Sequence, residues 1–327
     1  MRLLLLGAGL VAIMLLAMLA GARGIAPADL AALLGHYDPT DPAQITLLEI
    51  RLPRLVAGLI AGAALGVAGM VMQAVTRNPL ADPGLLGVNA GAAFSLLLGA
   101  TLLGRGDAAS LSLLTLPGAG LAALAVFSLG GGLAGDAGPV RLTLAGVALN
   151  AFLLSLVSLL VLLRRESLDV FRFWVAGSLA EAGQRPLTGL ALLALCGIVL
   201  ALLLAPRLEA LSLGGALARG LGTHPGRVLA GALLAVTLCT GAAVAVAGPI
   251  AFLGLVVPPL ARRIMGTEMR GGLIAAALLG AGLLLLADIA GRLLIPPGEI
   301  RAGVMTALLG GPVFLWIARR LRPGEGA

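Results

Sequence analysis

Along this chain, long apolar stretches alternate with short polar ones. Ten stretches are apolar for about the length of a membrane-crossing helix: roughly 3–22, 53–75, 85–103, 113–134, 141–163, 188–205, 228–246, 249–265, 272–290 and 300–318. About 20 residues at 1.5 Å each cross the ~30 Å hydrocarbon layer. The pattern therefore predicts an all-α, polytopic membrane protein of about ten transmembrane helices, forming one transmembrane domain over residues 1–327. Residues 1–22 can also be read as a secretory signal, with Arg2 before the apolar core and small residues at Ala20–Ala22. That core is longer than the usual run of about 7–15 residues, which favours a first transmembrane helix. The stretch 249–265 is interrupted by prolines at Pro249, Pro258 and Pro259, just after Gly248. A broken helix is tolerated at membrane depth only where protein or a water-filled cavity surrounds it, so this stretch is predicted to line a pathway.

The polar interruptions differ from one another. "RNPLADPGLLGVNAGAAF" (77–94) sets Arg77, Asn78, Asp82, two prolines and Gly84 between two apolar stretches. Pro79 and Pro83 end helical geometry and Gly84 frees a turn. Residues 23–50 and 164–187 form two long segments on one side, the second with Phe171, Phe173 and Trp174, which suits a short helix lying at the membrane interface. Residues 206–227 form the longest segment on the other side, where Leu213, Leu217 and Leu221 recur at the spacing of one helix face. Gly58, Gly62 and Gly66 sit four apart, as do Gly87 and Gly91. Such stripes let helix backbones approach closely in lipid, within one bundle or across a dimer face.

Composition agrees with the pattern. Hydrophobic residues make up 60% of the chain and charged ones 11%, where a soluble domain has about 25% charged. The net charge of +7 is no nucleic-acid signal, because basic residues stand singly or in pairs between apolar stretches. Their placement predicts orientation. With both termini cytoplasmic, twelve arginines fall inside: Arg2, Arg77, Arg141, Arg207, Arg219, Arg227, Arg262, Arg263, Arg270, Arg319, Arg320 and Arg322. All 22 basic residues are Arg. With no Lys, the chain cannot hold a P-loop ATPase site or do Schiff-base chemistry. Cys196 and Cys239 lie in apolar stretches, and His36 and His224 are too few for a metal cluster, so no metal site is predicted.

Chemistry is sparse. Asp288, in "LLLLADIAGRLL", is the one acid deep in an apolar stretch, and an intramembrane carboxylate is a functional candidate by default. A proton-coupled secondary transporter would want such a group. Arg292 lies four residues on, so the pair also reads as a structural ion pair, Asp288–Arg292. Arg51 and Arg54 flank Pro53 at the start of a span, where arginines commonly anchor a helix. No nucleophile, base and oxyanion set assembles, so nothing favours an intramembrane enzyme.

"RLPRLVAGLIAGAALGVAGMVMQAVTRNPLADPGLLGVNAGAAF" resembles the permease subunits of ATP-driven importers for ferric siderophores, haem and cobalamin, the type II ABC importers with a BtuC-like permease fold. "RLTLAGVAL" (141–149), "LSLGGALARGLG" (211–222), "GPIAFLGLVVPPLARRIMG" (248–266) and "ADIAGRLLIPPGEIRAGVMTALLGGPVFLWIARR" (287–320) follow in the same order. The resemblance covers roughly residues 45–320. It implies a second permease subunit, identical or paralogous, two separate ATP-binding subunits that carry the ATP and magnesium, and a periplasmic or lipoprotein substrate-binding protein. It implies no cofactor on this chain and a place in the bacterial cytoplasmic membrane. By the same resemblance, Asn78 and Leu80 belong to a cytoplasmic gate. Leu213, Gly214, Leu217, Arg219, Leu221 and Gly222 form the segment that docks on the ATPase. Arg51 and Arg292 meet glutamates of the delivery protein. The chain departs from the family pattern at Pro258-Pro259, Gly214-Gly215 and Arg301, and near Gly138–Val140, where no second gate is carried over. "FRFWVAGSL" (171–179) resembles siderophore permeases more than cobalamin ones, which makes ferric siderophore the expected cargo and haem or cobalamin the alternative.

Overall fold

The computed structural model describes residues 1–21, 24–35, 37–104, 107–132, 138–212, 215–220 and 222–320. Each of the ten apolar stretches holds a helix. In chain order these and the shorter helices are α1 (Arg2–Leu19), α2 (Pro27–Gly35), α3 (Pro42–Ile45), α4 (Leu52–Thr76), α5 (Val88–Leu103), α6 (Ala108–Leu129), α7 (Pro139–Leu163) and α8 (Arg165–Val175). There follow α9 (Leu187–Ser212), α10 (Gly215–Gly220), α11 (Pro225–Ala247), α12 (Leu253–Met265), α13 (Met269–Leu294) and α14 (Ala302–Arg320). A π-helical turn, Thr46–Arg51, joins α3 to α4, so that the apolar helix runs unbroken from Pro42 to Thr76. Among the described residues, seven helices are long and apolar enough to cross a membrane, and α5 and the apolar part of α14 are shorter.

Two boundaries differ from the sequence expectation. The stretch 249–265 is not a full span: α12 has 13 residues, about 20 Å at 1.5 Å each. The break lies upstream of Pro258 and Pro259, which both sit inside α12. Gly248 at φ 72° leaves helical geometry, and Phe252 at φ 65° restarts it. The segment 206–227 is also less of a loop than expected, because α9 continues through Pro206 to Ser212.

Helix α4 is the axis of the bundle, with α9, α11, α12 and α13 packed around it. Small residues set these distances. A Cβ on Gly62 would come within 2.5 Å of the Gly280 carbonyl oxygen of α13, and one on Gly66 would overlap the Ala276 carbonyl. The glycine stripe thus serves close packing inside the chain, where van der Waals contact replaces a hydrophobic driving force. A second group, α5 to α8, joins the first through α6 against α11, and α1 packs on α13. Leu144, Val147, Phe152 and Leu159 of α7 are exposed, as suits a helix bounded by lipid or a second subunit. Amphipathic α8 turns Phe171 and Trp174 against the apolar cluster of Ala93, Leu97 and Val157.

Candidate functional site

The interruption at 77–87 is a folded turn. Arg77, at φ 52°, ends α4 in left-handed geometry, and its Nη2 donates to the Leu211 carbonyl at the end of α9 (2.8 Å). Asn78 accepts through Oδ1 from the Leu80 amide (2.9 Å), and its carbonyl accepts from the Ala81 amide (3.1 Å). Asp82 starts a 3₁₀ turn, Pro83–Leu86, by accepting from the Gly84 amide (2.7 Å), and Gly87 at φ 69° closes it. The turn folds back on α12: a Cβ on Gly254 would lie 2.6 Å from Pro83 Cδ. Gln73 locks the contact, donating to the Leu255 carbonyl (3.2 Å) and accepting from Arg262. Asn78 is exposed and Leu80 half-buried.

Next to this turn, the break between α11 and α12 borders a cavity of about 550 Å³. Asp82 and Asn89 line one side, and Pro249, Ile250 and Phe252 another. The start of α14 and the end of α8 complete it. Irregular backbone at membrane depth is thus placed where it lines a space rather than facing lipid. Asn89 Oδ1 is buried without a hydrogen-bond donor. The Phe252 ring meets Phe314 at 6.2 Å between centroids. Close approaches hold the upper wall together, since a Cβ on Gly177 would lie 2.5 Å from the Pro249 carbonyl oxygen.

A second cavity, of about 580 Å³, borders the same end of α11, at Ala245, Ala247 and Gly248. Phe173 and Trp174 of α8, Ser112 of α6, Gln184, Arg185 and Arg301 are among its lining residues. Arg301 donates to the Phe173 carbonyl, and its guanidinium lies 4.8 Å from the Phe173 ring centre. Arg185 donates to the Val246 carbonyl, while its buried Nε has no acceptor.

The ionic residues at this end form one cluster. Asp288 is 1% exposed. It lies 3.1 Å from Arg292 Nε, as the i, i+4 spacing predicted, although that N–H is not aimed to hydrogen-bond it. Its main partner is Arg54 of α4, whose Nη2 is 2.7 Å from Oδ1 and whose Nε donates to both oxygens at 2.8 and 3.0 Å. Arg54 Nη1 also meets Glu299 at 2.8 Å. Sequence reasoning missed Arg54 and Glu299 as members. The available signal was Arg54 itself, a charge on the first turn of an apolar span, which needs a partner wherever packing buries it.

Arg51 and Arg292 were expected to face a delivery protein. As folded they are 5% and 7% exposed and turn inward. Arg292 donates to the carbonyls of Ala17 (3.2 Å) and Ala20 (2.9 Å), and Arg51 to that of Met18. The end of a helix leaves carbonyls without partners and carries a partial negative charge, so the C-terminus of α1 captures both guanidiniums.

In the expected ATPase-docking segment, Leu213, Gly214 and Leu221 lie outside the described residues. Leu217 and Arg219 belong to α10, whose Ala218 is fully buried, while Arg219 and Gly222 are exposed. The Gly222 amide donates to the Arg219 carbonyl (3.0 Å) and closes the turn.

Comparison with known proteins places this architecture. The profile of the FecCD transport family matches residues 9–320. The chain is 44% identical over 310 residues to the ferric enterobactin transport system permease protein FepD of Escherichia coli (strain K12), covering 94% of this chain and 92% of that one. It is 41% identical over 280 residues to the hemin transport system permease protein HmuU of Yersinia pestis, covering 84% and 83%. A solved structure described as a metal-chelate type ABC transporter in an inward-facing conformation superposes with a TM-score of 0.81 at 28% identity, covering 98% and 99%. With a match over nearly the whole chain and a shared fold, the protein belongs to the FecCD transport family.

Proposed function

We propose that this protein is the membrane-spanning permease of an ATP-driven importer and that its cargo is a ferric siderophore. The observation that carries the reading is the cavity at the break 248–252, open beside the 77–87 turn, in a chain of this family. Two ATP-binding subunits supply the force and a second permease subunit completes the path. A periplasmic or lipoprotein binding protein delivers the cargo. The relatives named above include permeases for ferric enterobactin and for hemin, so haem remains the alternative cargo. Both termini face the cytoplasm of a bacterial cell, in its cytoplasmic membrane.

Mechanically, the 77–87 turn is the inner gate, with Asn78 and Leu80 at its mouth, and residues 213–222 transmit movement from the ATPase. Arg77 ties the turn to the end of α9, just ahead of that segment, through its bond to Leu211. The permease makes no covalent change to the cargo. Nucleotide and delivery protein shift its conformation by binding its states unequally. Docking through Arg51 and Arg292 would exchange the carbonyls of α1 for carboxylates of the delivery protein, and charge reversal at either position should then weaken docking at low salt. A proton-driven mechanism through Asp288 draws no support from the geometry, because that carboxylate sits between two guanidiniums.

The test is uptake of radioactive iron by vesicles holding the permease, its ATPase and its delivery protein. ATP-dependent accumulation of the ferric siderophore, and none of haem, is the expected result. Haem uptake alone would move the cargo to the alternative. Accumulation without the ATPase would overturn the importer reading.

A further inference from the structure

Between the end of α9 that carries Ser212 and the start of α11 lies a cavity of about 550 Å³. Leu204 and Val228, both buried, give it an apolar floor. A Cβ on Gly231 would lie 2.9 Å from Leu204 Cδ1, so the two helices close up just beyond that floor. The exposed lining is basic: Arg207 of α9, Arg227 of α11 and His224, which precedes α11. No acid lines the cavity, and Glu209, the acid nearest in sequence, stands outside it. Neither guanidinium has an ion-pair or hydrogen-bond partner among the described residues. His224 occupies the N-cap position of α11 without a side-chain hydrogen bond to the helix, and the first turn of α11 holds no acid. The helix start adds partial positive charge to what these side chains already bring.

Position in the chain sets the chemistry of the ligand. Arg207 is the first charged residue after Arg185, and Arg227 is the last before Arg262. Both charges therefore stand where a long uncharged stretch meets the edge of the hydrocarbon layer. On α9, Leu192, Leu195, Val199 and Leu203 are exposed and share one helix face with Arg207. On α11, exposed Leu234 lies about two turns from Arg227 on the same face. From Leu192 to Arg207 the stripe runs ~22 Å, longer than the ~15 Å depth of one leaflet. An anion with long apolar tails matches both the cations and the stripe, whereas a free aqueous anion matches only the cations. We propose that this cavity binds the headgroup phosphate of an anionic phospholipid, with its acyl chains laid along the exposed faces of α9 and α11. Basic pockets between spanning helices at the membrane surface recognise such headgroups. Arginine suits the task, since its planar fork meets phosphate oxygens in pairs and keeps its charge. A docked ATPase subunit is the competing occupant, and it too matches the guanidiniums but not the stripe.

The experiment uses the full chain, purified in detergent and stripped of lipid. It is mixed with equal amounts of phosphatidylglycerol and phosphatidylcholine, and bound lipid is read by native mass spectrometry. Retention of phosphatidylglycerol is expected to be several-fold higher. Arg207→Gln with Arg227→Gln should lose that preference. Arg263→Gln with Arg270→Gln removes the same charge at exposed positions outside the cavity and should keep it. Equal retention of the two lipids overturns the proposal, as does a preference that survives the first pair of changes or is lost equally with the second. Should Arg207→Gln with Arg227→Gln fail to fold, Ala210→Glu serves. It leaves both arginines in place, puts an acid into the cavity, and should lower retention several-fold; unchanged retention overturns the proposal. Inorganic phosphate separates the two sources of the anion. Thermal stabilisation by phosphate equal to that by phosphatidylglycerol would assign the cavity to a free anion and overturn the lipid. Phosphatidylglycerol should stay bound when the ATPase subunits assemble, and its release would give the cavity to the protein partner instead.

Discussion

Asp288 meets two buried arginines, Arg54 and Arg292, and Arg54 has Glu299 as a second, part-exposed partner. Arg54 and Asp288 are among the most enclosed charged groups in the chain, at 6% and 1% exposed. Breaking such a pair from one side leaves an uncompensated charge and costs about 3–5 kcal/mol. Asp288→Asn should therefore lower the midpoint of thermal unfolding markedly in detergent. The double variant Arg54→Met with Asp288→Leu should be less damaged than Asp288→Leu alone, since Arg54 is no longer stranded and Arg292 keeps the carbonyls of α1. Equal damage in the two would show that the pair is not the unit.

Helix contacts here turn on missing side chains. Gly66→Ala would push a methyl into the backbone carbonyl of Ala276, which cannot swing away as a side chain would. Separating α4 from α13 by that much should cost about 1–3 kcal/mol and reduce the yield of folded protein. Gly120, in α6, has nothing within 4 Å of a Cβ. There the same change should be neutral or stabilising by up to about 1 kcal/mol. Thermal midpoints of the two variants decide the matter, and similar values would mean that the glycine stripe is not a packing device. The junction of α4 with α9 makes a second point at this scale. Arg77→Ala removes a bond to the end of α9, and ATP hydrolysis by the assembled transporter should become less dependent on cargo delivery.

For the whole molecule, orientation and energy source can be checked together. Ser212 and Thr188 are exposed at opposite ends of α9. A membrane-impermeant thiol reagent added outside intact cells should label Thr188→Cys and leave Ser212→Cys untouched, in a background without native cysteines. The reverse pattern would invert the topology. In vesicles, the permease alone should accumulate nothing against a gradient, because no lysine is present to build a phosphate-binding loop. Uptake driven by a pH gradient without the ATPase would contradict that assignment.

The linear sequence was enough to place ten helices, the amphipathic α8 and the absence of a P-loop. Apolar length, the 3.6-residue period and residue inventory are local properties, readable before any contact forms. Close packing of the glycine stripe was legible as a property of one helix, but its partners on α13 were not. Tertiary structure decided everything that depends on distant residues meeting. Arg54 finds Asp288 across 234 positions of chain, so the i, i+4 neighbour Arg292 was visible and the stronger partner was not. Arg51 and Arg292 read as surface charges until the carbonyls at the end of α1 arrived to take them. Of the interruptions the sequence offered, Gly248–Pro249 and Pro258–Pro259, only the first breaks the helix, because Gly248 and Phe252 adopt positive φ there while the later prolines sit inside α12. Burial and pairing are relations between segments, and a sequence states the segments without their meeting.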